Sequence, residues 1–218
     1  MQCPFKSCQQ HGCQCLKNYG LFSLVLLATI GLWLFNWNQK LFYIINSWHT
    51  ILPNQVWEWI NIITYSKYFI LAGILLIVTA IWRRAQLIRV VILIVAFYVI
   101  FYVLKIIIGY PRPYVILDSS TFFWLNTYGD YVKVAYKSFP SGHVGNVAVF
   151  IFALNSLFFA NRWWIRGALF LLLIITALAR ICTGWHWPID VLASGLIAYL
   201  LVRICLNFKN TSYSKMCR

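Results

Sequence analysis

Two histidines, one carboxylate and three cations stand at spacings that chemistry could use. His186 and Asp190 are four residues apart in "HWPID", with Pro188 suited to the first turn of the helix that follows. A spacing of four stacks the two side chains on one helical face. The carboxylate can then hold the proton of one ring nitrogen and leave the other as a lone pair, which makes the imidazole a nucleophile. The second histidine, His143, closes "SFPSGH" at 138–143, just ahead of the apolar run "VGNVAVFIFALNSLFFA". Pro140, Ser141 and Gly142 are turn and cap residues before a helix. The first N–H groups of such a helix lack internal partners, and its dipole favours an anion. Gly142 lets that backbone come close to a phosphate, and Lys105, Arg112 and Arg180 add three cations. His143 can act as general acid and base. The set describes phosphoryl transfer without a metal, since no cluster of acidic ligands accompanies it.

These residues are far apart in the chain, so apolar elements must gather them. The 218 residues are 62% hydrophobic and only 10% charged, against about 25% charged in a soluble domain. Lipid is the main solvent. Six segments approach the roughly 20 apolar residues of a membrane span: 19–37, 66–82, 88–108, 143–160, 163–181 and 188–207. The expected fold is an all-α membrane protein with six transmembrane helices. No small-residue cleavage site follows the first segment, so it is read as an uncleaved span. The last two segments have short apolar centres, where Arg166, Arg180 and Arg203 can snorkel to the headgroups. Trp163, Trp164, Trp185 and Trp187 are expected as interfacial aromatics, and His49 as a headgroup contact.

Between the first two spans, "PNQVWEWINIIT" at 53–64 sets Val56, Trp57, Ile60 and Ile63 on one face. Asn54, Glu58 and Asn61 take the other, which predicts an interfacial amphipathic helix lying on the membrane. The domain organisation is a cytoplasmic Cys-rich tail over 1–18, a six-span domain over 19–208 and a basic tail over 209–218. Cys3, Cys8, Cys13 and Cys15 in the first tail match no zinc-binding spacing and are read as reduced and solvated.

The net charge of +14 comes from 18 Lys and Arg against four acids. No basic helix or RNA-type motif accompanies it, so no nucleic-acid partner is expected and the surplus is a topology signal. With six spans, eleven of the basic residues share a side with both termini and the loops 83–89 and 161–166. The other side holds seven, together with Glu58, Asp118, Asp130 and Asp190. Both termini are therefore expected in the cytoplasm. Alternation of the spans then brings Lys105, Arg112, Ser141, His143, Arg180, His186 and Asp190 to the opposite, extracytoplasmic face.

At these residues the chain resembles the type 2 phosphatidic acid phosphatase superfamily, whose motifs are K-x6-R-P, P-S-G-H and S-R-x5-H-x3-D. They correspond to Lys105 through Arg112-Pro113, to Pro140 through His143, and to Arg180 through His186 to Asp190. Ala179 replaces the serine of the third motif and removes one hydroxyl near the phosphate. The resemblance implies that His186 attacks phosphorus to form a phosphohistidine and that Asp190 orients it. His143 would protonate the leaving oxygen and then activate water. Lys105, Arg112, Ser141, Gly142 and Arg180 would bind the phosphoryl oxygens, with no cofactor.

A site at the rim of a bilayer favours an amphipathic molecule with phosphate at headgroup depth. The outer loop 113–140 carries Tyr114, Phe122, Phe123, Trp124, Tyr128, Tyr131 and Tyr136, which could shape a lid. The preferred expectation is a lipid phosphatase acting on undecaprenyl diphosphate in a bacterial inner membrane. Phosphatidic acid, phosphatidylglycerophosphate and lipid A phosphates are the alternatives. An anion or lipid transporter would need its charges near the bilayer midplane, and vanadate-dependent peroxidases of the same superfamily are a poor match to a small six-span chain.

Overall fold

The computed structural model describes residues 23–31, 37–65, 70–126 and 131–206. Every regular element among these is helical. After helical residues 23–31 come α1 (Trp37–Asn46), α2 (Asn54–Ile63), α3 (Ile70–Trp82), α4 (Leu87–Ile108), α5 (Gly142–Leu157), α6 (Trp163–Cys182) and α7 (Pro188–Leu206).

Helix α5 is the axis of the bundle. It packs most extensively on α7 and also meets α3, α4 and α6. Val144, Val147, Ala148, Val149, Ile151 and Ala153 are all buried, as a helix apolar on every side must be in a packed interior. Helix α4 turns one stripe inward, Val90, Leu93, Phe97 and Phe101, at helical spacing. Its other faces expose Ile88, Val95 and Ile107, which suits a helix bathed in lipid. Gly145 lets the α4 aromatics close on α5, because a Cβ there would fall on the rings of Phe101 and Phe97.

Helices α6 and α7, and the stretch Arg84–Ile116 containing α4, are long and apolar enough to cross a membrane. Helices α3 and α5 are apolar but shorter, with 13 and 16 residues. Sixteen residues rise about 24 Å, against a hydrocarbon core of about 30 Å. The segment expected over 143–160 ends its helix at Leu157, and Phe158 leaves helical geometry. Of the expected first span, 23–31 are helical and Trp37 begins α1, while 19–22 and 32–36 lie outside the described residues. So do 66–69 of the second span, the Cys-rich segment 1–18 and the tail 209–218.

The face assigned to 53–64 is corrected. Helix α2 buries Trp57 and Asn61 against α6 and exposes Val56, Ile63 and Glu58. The amphipathic rule assumes water outside. Where lipid can solvate the apolar side chains, a polar side chain gains by turning inward to a partner.

Candidate active site

The connections after α4, before α5 and after α6 meet at one end of the bundle. Gly109, in the left-handed conformation at φ 57°, ends α4. The chain then turns through Arg112 into a one-turn helix at Pro113–Ile116. After α6, the N–H groups of Trp185 and His186 both donate to the Arg180 carbonyl, at 3.1 and 3.2 Å. That tight turn needs Gly184, whose φ is 73° and whose missing Cβ would stand 2.7 Å from the Phe123 carbonyl oxygen. Asn46 of α1 fastens the arrangement. Its Nδ2 donates to the Ile181, Cys182 and Phe123 carbonyls at 3.1, 3.0 and 2.9 Å, and its Oδ1 accepts the Phe123 N–H at 2.8 Å. Orphan carbonyls at the end of α6 are thereby satisfied.

His186 lies between a carboxylate and a guanidinium. Its Nδ1 is 3.3 Å from Asp190 Oδ2, and its Nε2 is 3.3 Å from Arg112 Nη1. Asp190 also accepts from Ser138 Oγ at 2.5 Å and from the Trp187 N–H at 3.0 Å. An acceptor at Nδ1 favours the tautomer with its lone pair on Nε2, on the side of Arg112. Burial first, then the charges of Arg112, Arg180 and Lys105, hold the His186 pKa well below 6.5. The ring is therefore neutral at physiological pH.

Around it, Arg112 is anchored by Nε to the Val134 carbonyl at 2.9 Å and by Nη1 to the Trp185 carbonyl at 2.9 Å. Lys105 donates to the Lys137 and Pro140 carbonyls at 2.9 and 2.5 Å, which ties α4 to the turn before α5. In that turn the Ser141 N–H donates to Ser194 Oγ at 2.7 Å. Its hydroxyl is buried with no hydrogen-bond partner among the described residues. Gly142 and His143 form the first turn of α5, with the His143 ring stacked 5.2 Å from Tyr65. Arg180 is 1% exposed rather than snorkelling, and its Nη1 donates to Asn61 Oδ1 at 2.7 Å.

The structure thus brings all eight expected site residues to one end of the bundle. Among the described residues no three His, Cys, Asp or Glu side chains gather as metal ligands would. Four contributors went unrecognised in the sequence. Ser138 lies inside the quoted "SFPSGH" stretch, but its link to Asp190 depends on the fold. Ser194 and Asn61 are polar residues in apolar segments, which was an available signal. Trp185, expected at the membrane interface with Trp187, is buried, as is Trp187. Their indole N–H groups donate inside the protein, to the Leu125 and Pro111 carbonyls at 2.8 Å each. Both guanidinium groups, of Arg112 and Arg180, lie over the Trp185 ring, and such contacts contribute about 0.5 to 2 kcal/mol each. His49 serves the loop, stacked on Phe123 at 4.1 Å.

Residues 86–214 match the model of the PAP2 superfamily. An undecaprenyl-diphosphatase of Sulfolobus acidocaldarius is 30% identical over 165 residues, which cover 71% of this chain and 78% of that protein. The crystal structure of Aquifex aeolicus LpxE is similar with a TM-score of 0.63 and 25% identity, over 78% of this chain and 95% of that one. A transmembrane PAP2 type phosphatidylglycerolphosphate phosphatase from Bacillus subtilis shares the fold, with a TM-score of 0.58 at 18% identity. That likeness covers 92% and 96% of the two chains.

Proposed function

This chain belongs to the PAP2 superfamily, and on that premise we propose that it is an integral-membrane phosphatase of lipid phosphates working through a phosphohistidine. The observation that carries the proposal is the placement of His186, with Nδ1 toward Asp190 and Nε2 toward Arg112. Nε2 attacks phosphorus, and the bond to the lipid oxygen breaks as that oxygen takes a proton from His143. Water then loses a proton to His143 and attacks the phosphohistidine, releasing phosphate and restoring both rings. Arg112, Arg180, Lys105, Ser141 and the Gly142 backbone hold the phosphoryl oxygens. Stabilising the charge on those oxygens is the largest contribution such a site can make.

The substrate we assign is undecaprenyl diphosphate, converted to undecaprenyl phosphate. A site at one rim of the bundle and the similarity to an undecaprenyl-diphosphatase support it. The chain would sit as six spans in a bacterial inner membrane, with cytoplasmic termini and an extracytoplasmic site. Purified protein assayed with undecaprenyl diphosphate, phosphatidic acid, phosphatidylglycerophosphate and lipid A should release phosphate fastest from the first. Activity should survive excess EDTA and vanish in His186→Ala. A preference for another lipid would overturn the substrate, and loss on chelation restored by Mg²⁺ would overturn the metal-free mechanism.

A further inference from the structure

The two arginines nearest the nucleophile share one aromatic ring. The guanidinium carbon of Arg112 lies 5.2 Å from the centroid of the Trp185 ring, and that of Arg180 lies 5.4 Å from it. Trp185 itself is 1% exposed and held from several sides. Its indole N–H donates to the Leu125 carbonyl at 2.8 Å, and its backbone N–H to the Arg180 carbonyl at 3.1 Å. Its own carbonyl accepts from Arg112 Nη1 at 2.9 Å. Tyr114 and Trp124 meet the ring edge-on, with centroids 5.7 and 6.1 Å away. A side chain fixed this firmly can fix what rests on it.

Two guanidinium groups brought together repel one another. A carboxylate between them would relieve that repulsion, but it would neutralise the very charge that an arriving phosphate needs and would have to be displaced. An aromatic face attracts cations through its quadrupole while carrying no net charge. It can hold the pair in place and leave both at full charge.

We propose that Trp185 is a positioning residue of the phosphate cradle, its indole ring holding both Arg112 and Arg180 in place for the phosphoryl group. The inference rests on the reading of these arginines as phosphate ligands. It assigns to Trp185 a role that apolar packing alone would not give it.

The test replaces Trp185 in the full chain, site-specifically, with mono-, di- and trifluorotryptophan. Shape and the indole N–H are nearly unchanged along this series, while electron density is withdrawn from the ring face step by step. The readouts are the inhibition constant of orthovanadate, kcat and KM for nitrophenyl phosphate, and the melting temperature. The inhibition constant should rise with each fluorine, to roughly tenfold at the end of the series, and kcat/KM should fall in parallel at constant melting temperature. The same series at Trp82, which is 73% exposed, should be flat. Trp185→Phe, which keeps an aromatic face, should retain more vanadate affinity than Trp185→Leu. A flat series at Trp185, with Arg112→Gln and Arg180→Gln each weakening vanadate, would reduce Trp185 to a space-filler and overturn the inference alone. If those arginine variants also leave vanadate binding unchanged, the cradle reading falls and the inference falls with it.

Discussion

His186 and His143 are given different work, and kinetics can separate them. If His186 is the nucleophile, as proposed, its loss removes the covalent step, and His186→Ala should be inert toward every substrate. In the proposed mechanism His143 protonates the departing oxygen and then deprotonates water. Nitrophenolate departs with little help, so His143→Ala should give a rapid burst of nitrophenol followed by slow phosphate release, and an acid-labile phosphoenzyme should accumulate. A burst from His186→Ala instead would reverse the two roles. The protonation state of His186 makes a second prediction. Its pKa is depressed by burial and then by neighbouring cations, Arg112 foremost, so its lone pair persists below pH 6.5. Removing that positive charge must raise the pKa. Arg112→Gln should therefore shift the acid limb of kcat/KM for nitrophenyl phosphate to higher pH, beyond a loss of about 10²- to 10³-fold in rate. An unmoved limb would mean that another group sets it.

At the scale of elements, α2 stands outside the three motifs and still reaches the site. Asn61 Oδ1 accepts from Arg180 Nη1, and its Nδ2 lies 3.4 Å from Thr183 Oγ1. Asn61→Ala deprives a buried guanidinium N–H of its acceptor, at a cost of about 1 to 3 kcal/mol. Vanadate offers acceptors to the same guanidinium. The variant should melt lower than the parent in plain buffer, and saturating vanadate should recover most of the difference. Equal vanadate stabilisation of parent and variant would show that Asn61 and the anion do not share Arg180.

For the whole molecule, the question is which side of the membrane the site faces. The proposed topology, drawn from the distribution of basic residues, puts the termini inside and the candidate site at the other face. Ser119 is exposed in the loop that follows Pro113–Ile116, and Arg84 is exposed at the turn between α3 and α4. Ser119→Cys should gain labelling by a membrane-impermeant thiol reagent in intact cells, over the parent chain. Arg84→Cys should gain it only after lysis. The reverse pattern would invert the topology and move the substrate to the inner leaflet.

Composition and motif spacing were enough to establish the membrane class, the family and the residues worth testing. Apolar run length reports on transfer to lipid, and the four-residue spacing brings His186 to Asp190 even though His186 precedes the helix, which begins at Pro188. The assignment of inside and outside was not legible in the same way. Sequence periodicity turns Asn61 outward and sets Trp185 at the interface because it sorts residues by polarity alone. Inside a bilayer, apolar side chains are content on either side, and burial is decided by which polar groups find partners. Arg180, itself carried inward by α6, turns Asn61 toward it, and it closes on Trp185 together with Arg112 from the connection after α4. Ser138 meets Asp190 across 52 residues of chain. Those pairings exist only once the helices have packed, because each needs two connections to arrive at the same place.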